Sequence, residues 1–213
     1  MLHKLLFILA LIPTLCRAQT SAIVFDSNVI EEKVGDLDGD GMAERVILYN
    51  TSDSTEDGRI RELQVLKKSG RDWIVWKKSC NAVLPSKGGG RYGDPFEYME
   101  IENGVLSIRQ SGGSNWKWGQ TDRYKLKNGE LVLTSYSSLY GKTCEYWTNF
   151  YFEISRGKIF YKKEFEKCPL QTETAKKQCE RFRYRLKKKI TIENRYEEFI
   201  KVISPRHRQE IYF

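Results

Sequence analysis

Apolar and polar residues alternate in short runs along most of the 213-residue chain. Period-two alternation lays one face of a strand on a core and the other on water, so these runs predict strands. Residues 98–102 and 105–109 flank Asn103-Gly104, and residues 117–127 and 131–136 flank Asn128-Gly129. Asn-Gly takes the turn that a two-residue hairpin needs. Residues 63–66 and 73–76 make a hairpin about Ser69-Gly70, and residues 144–154 and 159–165 make another about the turn at 155–158. Residues 23–25, 29–34 and 45–49 are strands at the start of the chain, and residues 199–203 and 211–213 close the last sheet. Three polar or Gly-rich stretches read as connections: 50–59, 80–96 with its run Gly88-Gly89-Gly90, and 169–178. No internal repeat or low-complexity linker divides the chain. The predicted fold is therefore all-β, an antiparallel meander built as a sandwich or as propeller-like stacked sheets, in a single domain over residues 19–213.

The first eighteen residues break this pattern. Lys4, an apolar run over residues 5–15 and Cys16-Arg17-Ala18 have the layout of an export signal, so the mature chain starts near Gln19 and is periplasmic or secreted. A lipid anchor on Cys16 is the rival reading, and bulky Leu15 fits it poorly. An uncleaved anchor is a third. No later run is long enough to span a membrane. Four cysteines remain after cleavage, and an even count in an exported chain argues for two disulfides. Counting outward from the turn at 155–158 brings Cys144 nearly opposite Cys168, which leaves Cys80 with Cys179; the rival pairs Cys168 with Cys179. A zinc site would want a C-x-x-C pair, which the chain lacks.

The connection between the strands at 29–34 and 45–49 is Gly35-Asp36-Leu37-Asp38-Gly39-Asp40-Gly41-Met42-Ala43-Glu44. Carboxylates at every second position before a sharp glycine turn form the oxygen cage of a hard cation, and calcium is the expected ion. Asp36, Asp38 and Asp40 take positions 1, 3 and 5, the Met42 carbonyl position 7 and Glu44 position 9, while Gly41 adopts a backbone conformation that a side chain would hinder. An EF-hand places its bidentate Glu at position 12; here that residue is Ile47, inside an apolar run, so the loop joins strands rather than helices. A solvated Asp-Gly turn is the alternative. Against it, carboxylates crowded on one turn repel by about 1 kcal/mol per close pair in water.

This spacing resembles the D-x-D-x-D-G-x-x-D loop of FG-GAP and VCBS-type repeats, the module of integrin α-chain propellers. The resemblance implies calcium held between two β-strands, with Glu44 in the place of the family's last Asp. It covers about fifteen residues, in one copy. Asn81-Ala-Val-Leu-Pro, Asp94-Pro-Phe and Gly112-Gly-Ser followed by Trp116 and Trp118 also look like a group of secreted bacterial proteins that carry one such loop near the start. That likeness implies export and a β-fold without an activity.

Charge and chemistry narrow the function further. The formal net charge is +8, with acids crowded in residues 26–57 and bases in residues 158–189, an asymmetry that suits a binding face. Arg181, Arg183 and Arg185 alternate with Phe182, Tyr184 and Leu186, so a strand would put the bases on water. Such a face is either an edge strand protected by charge or a surface for an anionic glycan, lipid headgroup or nucleic acid; an envelope component suits an exported chain better than nucleic acid. Trp116 and Trp118 share one strand face and offer a saccharide-stacking surface or ordinary packing, whereas Trp73 and Trp76 read as core or sheet-face aromatics. Catalysis is resisted by the inventory. After cleavage the one histidine is His207, in a charged segment, so a Ser-His or Cys-His nucleophile has little to draw on. The glycine run is followed by no Gly-Lys-Ser/Thr, which disfavours a phosphate loop. The expected role is a non-catalytic binding or structural module. Its rival is a glycan-active hydrolase using Asp94, Glu100 or Glu102 near the Gly-rich loop.

Overall fold

The computed structural model describes residues 28–167 and 176–213. The predicted leader, the strand at 23–25, Cys168 and most of the connector at 169–178 lie outside them. Two antiparallel sheets are laid down in chain order. The first holds β1 (Val29–Gly35), β2 (Glu44–Thr55), β3 (Gly58–Ser69) and β4 (Asp72–Ser79). The second holds β5 (Phe96–Glu102), β6 (Val105–Gly113), β7 (Lys117–Lys127), β8 (Glu130–Lys142), β9 (Tyr146–Glu153), β10 (Lys158–Phe165) and β11 (Lys177–Arg183). A final hairpin pairs β12 (Lys201–Ile203) with β13 (Glu210–Tyr212). Every strand follows its neighbour, so the fold is an all-β antiparallel meander, and its sheets do not close into a barrel.

Turn chemistry sets the registers. Asn103 and Gly104 have φ of 52° and 71°, and Asn128 and Gly129 have φ of 51° and 77°. Positive φ at both central residues matches the right-handed twist of the flanking strands. The pairs Glu102↔Val105 and Lys127↔Glu130 close directly on these turns. Residues 50–59 differ from the loop expected there. Asn50↔Arg61, Ser54↔Arg59 and Thr55↔Gly58 extend the β2–β3 ribbon across a bulge, and the Thr51 hydroxyl reaches the Ile60 carbonyl at 3.0 Å. Backbone pairing against a neighbour that is already in register overrides weak strand propensity.

One hydrophobic core joins both sheets to the C-terminal segment. Val46, Leu48, Leu63 and Val65 come from the first sheet, Leu106, Ile108, Leu133 and Phe152 from the second, and Ile192, Val202 and Phe213 from the last residues. Buried within it is an ion pair: Arg195 Nε donates to both oxygens of Asp122 at 3.0 Å, and the two side chains are 2% and 0% exposed. Burial pushes the Asp122 carboxyl up. For Arg195 burial works against the charged form, but the Asp122 charge overrides it and holds the guanidinium above its ordinary range.

Gly89, within residues 80–96, serves close backbone contact. A Cβ on Gly89 would meet the Gly93 carbonyl at 2.7 Å, and one on Gly112 would meet Gly89 Cα at 2.7 Å. Gly113 N–H donates to the Gly89 carbonyl at 2.8 Å, pinning this connection to the end of β6.

The cysteines correct one expectation. Cys80 and Cys179 are free and exposed, not paired. Cys80 follows β4 in one sheet, whereas Cys179 stands opposite Lys162 on β10 in the other. Cys144 is disulfide-bonded, and its predicted partner Cys168 is outside the described residues. Burial and the neighbouring Glu62 carboxylate push the Cys80 thiol up, which keeps it protonated and slow to react. A thiol reagent without denaturant is therefore expected to modify Cys179 first and Cys80 more slowly, read by mass spectrometry of the labelled peptides. Protection of both in native protein would contradict this arrangement.

Candidate functional site

The β1–β2 connection brings three predicted ligands together. Carboxylate oxygens of Asp36, Asp38 and Asp40 lie within 4.8 Å of one another. The backbone makes this convergence: Gly39 and Gly41 have φ of 80° and 83°, values that suit glycine and curl the chain back on itself. The N–H groups of Gly39 and Gly41 donate to Asp36 at 2.6 and 3.0 Å, that of Asp40 to Asp38 at 3.1 Å, and that of Met42 to Asp40 at 2.7 Å. These donors and one lysine offset the crowding of negative charge expected from the sequence. Met42 exposes its side chain and turns away from the core. Glu44 is buried, accepting the Leu37 N–H at 2.7 Å.

Lys67 is the neighbour of these acids that the sequence does not disclose. It comes from β3, across the ribbon from the loop. Its ammonium bonds Asp38, lies 3.7 Å from a Glu44 oxygen and sits 4.1 Å above the Trp76 ring. No local spacing ties Lys67 to an acid 29 positions away; the hairpin register does. The bond from Lys67 holds the Asp38 carboxyl below its ordinary value. A depressed carboxylate stabilises the fold above its unfolded-state pKa, and that contribution is lost as the pH falls through the folded-state value. The three carboxylates offer oxygen donors alone, the donor set a hard divalent ion prefers.

The other predicted sites are placed as follows. Arg181 and Arg183 are exposed on β11, which is an edge strand, and Arg185 lies just past its end. Phe182, Tyr184 and Leu186 pack on the core, as the alternation requires, and Arg181 lies over the Phe160 ring at 5.3 Å. Trp116 is half-buried, stacked on Tyr140 with centroids 5.3 Å apart and planes 8° from parallel, and Trp118 stands opposite Tyr140 across β7 and β8. The hydrolase candidates are not drawn into one site: Asp94 is committed to buried Arg61, while Glu100 and Glu102 occupy exposed positions of β5. His207 donates its backbone N–H to Glu180 at 3.2 Å. No helix among the described residues is long and apolar enough to cross a membrane. Comparison with protein-family models, curated proteins and solved structures finds no match for this chain.

Proposed function

We propose that this chain is an exported calcium-binding β-protein that acts as a binding or structural module, with the ion held where β1 passes into β2. The observation that carries this reading is the convergence of Asp36, Asp38 and Asp40 on one another, in the spacing that resembles FG-GAP and VCBS-type loops. The Met42 carbonyl and Glu44 are the further ligands expected from the sequence, and Glu44 would have to turn from the Leu37 N–H to join the three aspartates. A bound divalent ion would neutralise the acids and fix the strand connection; Lys67 supplies part of that neutralisation from the protein itself. The loop sits at the edge where β1 meets β5, since a Cβ on Gly35 would collide with Ile101 and the Glu31 carboxylate accepts the Met99 N–H at 3.0 Å. Stiffening it therefore braces the junction between the two sheets.

Extracellular modules bind calcium at roughly 0.1–1 mM. A ten- to fifty-fold excess over such a Kd adds about 1.4–2.3 kcal/mol, or on the order of 3–9 °C in Tm for a domain of this size. Thermal melts in calcium and in EGTA measure this directly. The shift is expected to vanish in the double variant Asp36→Asn, Asp40→Asn, and coincident melts of the parent chain would count against the metal. Export is checked separately by sequencing the amino terminus of the fractionated protein, which is expected to begin near Gln19.

A further inference from the structure

The inner face of the second sheet is only partly covered by the C-terminal segment. Beyond that cover lies a cleft of about 550 Å³, within the rough range of 300–1,000 Å³ for small-ligand pockets. Trp118, Tyr140 and Tyr146 form its walls, and Phe199 and Tyr212 stand at its mouth, 84% and 54% exposed. Large aromatics left on water at a concave site mark interaction surfaces.

Lys163 on β10 gives this cleft its chemistry. Its Nζ lies 3.7 Å from the Tyr146 ring centroid and 3.5 Å from Gln209 Oε1. Among the described residues no carboxylate comes within 4 Å of it. Among the described residues the one acid lining the cleft is Glu210, which is held by Lys201 at 2.5 Å and by the Tyr212 hydroxyl at 2.8 Å. Ser138, Thr148 and Gln209 add hydroxyl and amide groups to the lining. A purely hydrocarbon ligand would strip these groups of water without replacing their hydrogen bonds. A neutral ligand would leave a half-buried ammonium without a counter-ion. A pyranose has an apolar C–H face for an aromatic wall and a rim of hydroxyls, and a uronic acid adds the missing carboxylate.

We propose that this cleft binds an acidic oligosaccharide of the uronate class, with one ring against Trp118 and the carboxylate of another ring, across β8 and β9, on Lys163 Nζ. Burial already draws the Lys163 ammonium below its ordinary range, and a docked carboxylate would reverse that trend. The inference rests on the reading of the chain as a binding module. It does not require calcium, because the cleft is built from β7 to β10 and the C-terminal segment.

Titration calorimetry and tryptophan quenching in EGTA test it, with trigalacturonate and its methyl ester as probes on the mature chain. Trigalacturonate is expected to bind; esterification and Lys163→Met are each expected to weaken binding about tenfold or more, the loss of one charge-assisted hydrogen bond. Lys163→Met keeps most of the aliphatic stem, and far-UV circular dichroism confirms that the variant is folded. No heat and no quench at millimolar trigalacturonate would overturn the proposal. So would an ester that binds as well as the acid, or a variant that binds as well as the parent. A calcium titration of the same protein after the EGTA is dialysed away separates the two readings: uronate uptake without calcium uptake keeps the cleft and removes the metal loop, and the reverse removes the cleft.

Discussion

Arg195→Met is expected to lower the unfolding free energy by about 3–5 kcal/mol, read from urea transitions of parent and variant with the slope unchanged. The Asp122 carboxylate is fully buried, and Arg195 meets both of its oxygens. Removing the guanidinium leaves a charge with neither water nor partner. The variant also carries a pH signature. Its Asp122 carboxyl, already raised by burial, loses the one neighbouring charge that bonds it directly, so its folded-state pKa rises further above the unfolded value of about 3.9. A carboxyl raised on folding stabilises the protein below the unfolded pKa, and that contribution is lost as pH rises through the folded value. The penalty of Arg195→Met is therefore smallest in acid and grows toward neutral pH. Adding Asp122→Leu is expected to recover most of the loss, because an apolar pair of similar volume replaces the buried ion pair at little or no cost. If Arg195→Met falls within 1 kcal/mol of the parent at pH 7, the segment holding Arg195 does not dock as described.

Phe213→Ala is the second large effect, about 3–5 kcal/mol, from the lost transfer of the ring and the cavity it leaves. The ring is 4% exposed and lies against three others: 5.4 Å from Tyr136, 5.9 Å from Phe150 and 5.4 Å from Phe152, the last nearly perpendicular. Backbone bonds between Phe213 and Ile200, at 3.0 and 3.2 Å, hold it in place. The loss is expected in urea unfolding together with a reduced near-UV circular dichroism signal from the Tyr136 environment. A change under 1 kcal/mol would mean that the ring does not fill the core. The two variants test the same claim from different chemistry, since the ion pair and the aromatic cluster both fasten the C-terminal segment across β7 to β9.

Most strands were legible from the chain because their signals are local. Alternation over residues 98–109 and 117–136 and the two Asn-Gly turns specify hairpins without reference to anything distant. Where the local signal is weak, pairing between distant segments decides the structure. Residues 50–59 are polar and contain Gly58, yet they pair, because β3 returns in register with β2. The free thiols escape the sequence for a related reason: the count of cysteines says nothing about which sheet each one joins.

The acidic triad is likewise a local device, since Asp36, Asp38 and Asp40 are two residues apart and the glycines between and after them make the turn. Lys67, which shares their charge, is visible only once β3 lies beside β2. Arg195 and Asp122 are 73 positions apart, and neither has a neighbour in sequence that announces a buried ion pair. The aromatic cleft is assembled from four strands and the last hairpin, so Trp118 could be named in advance while Lys163 could not.

The amino-acid sequence by itself determined the strands, the turns that pair them and the cluster of aspartates at the first connection, because each depends on backbone preferences within a few residues. Tertiary structure alone decided which cation stands beside those acids, which cysteines stay apart, which charges are buried together and where the sheet is left open. These depend on register and burial between distant segments, and no stretch of the chain encodes them alone.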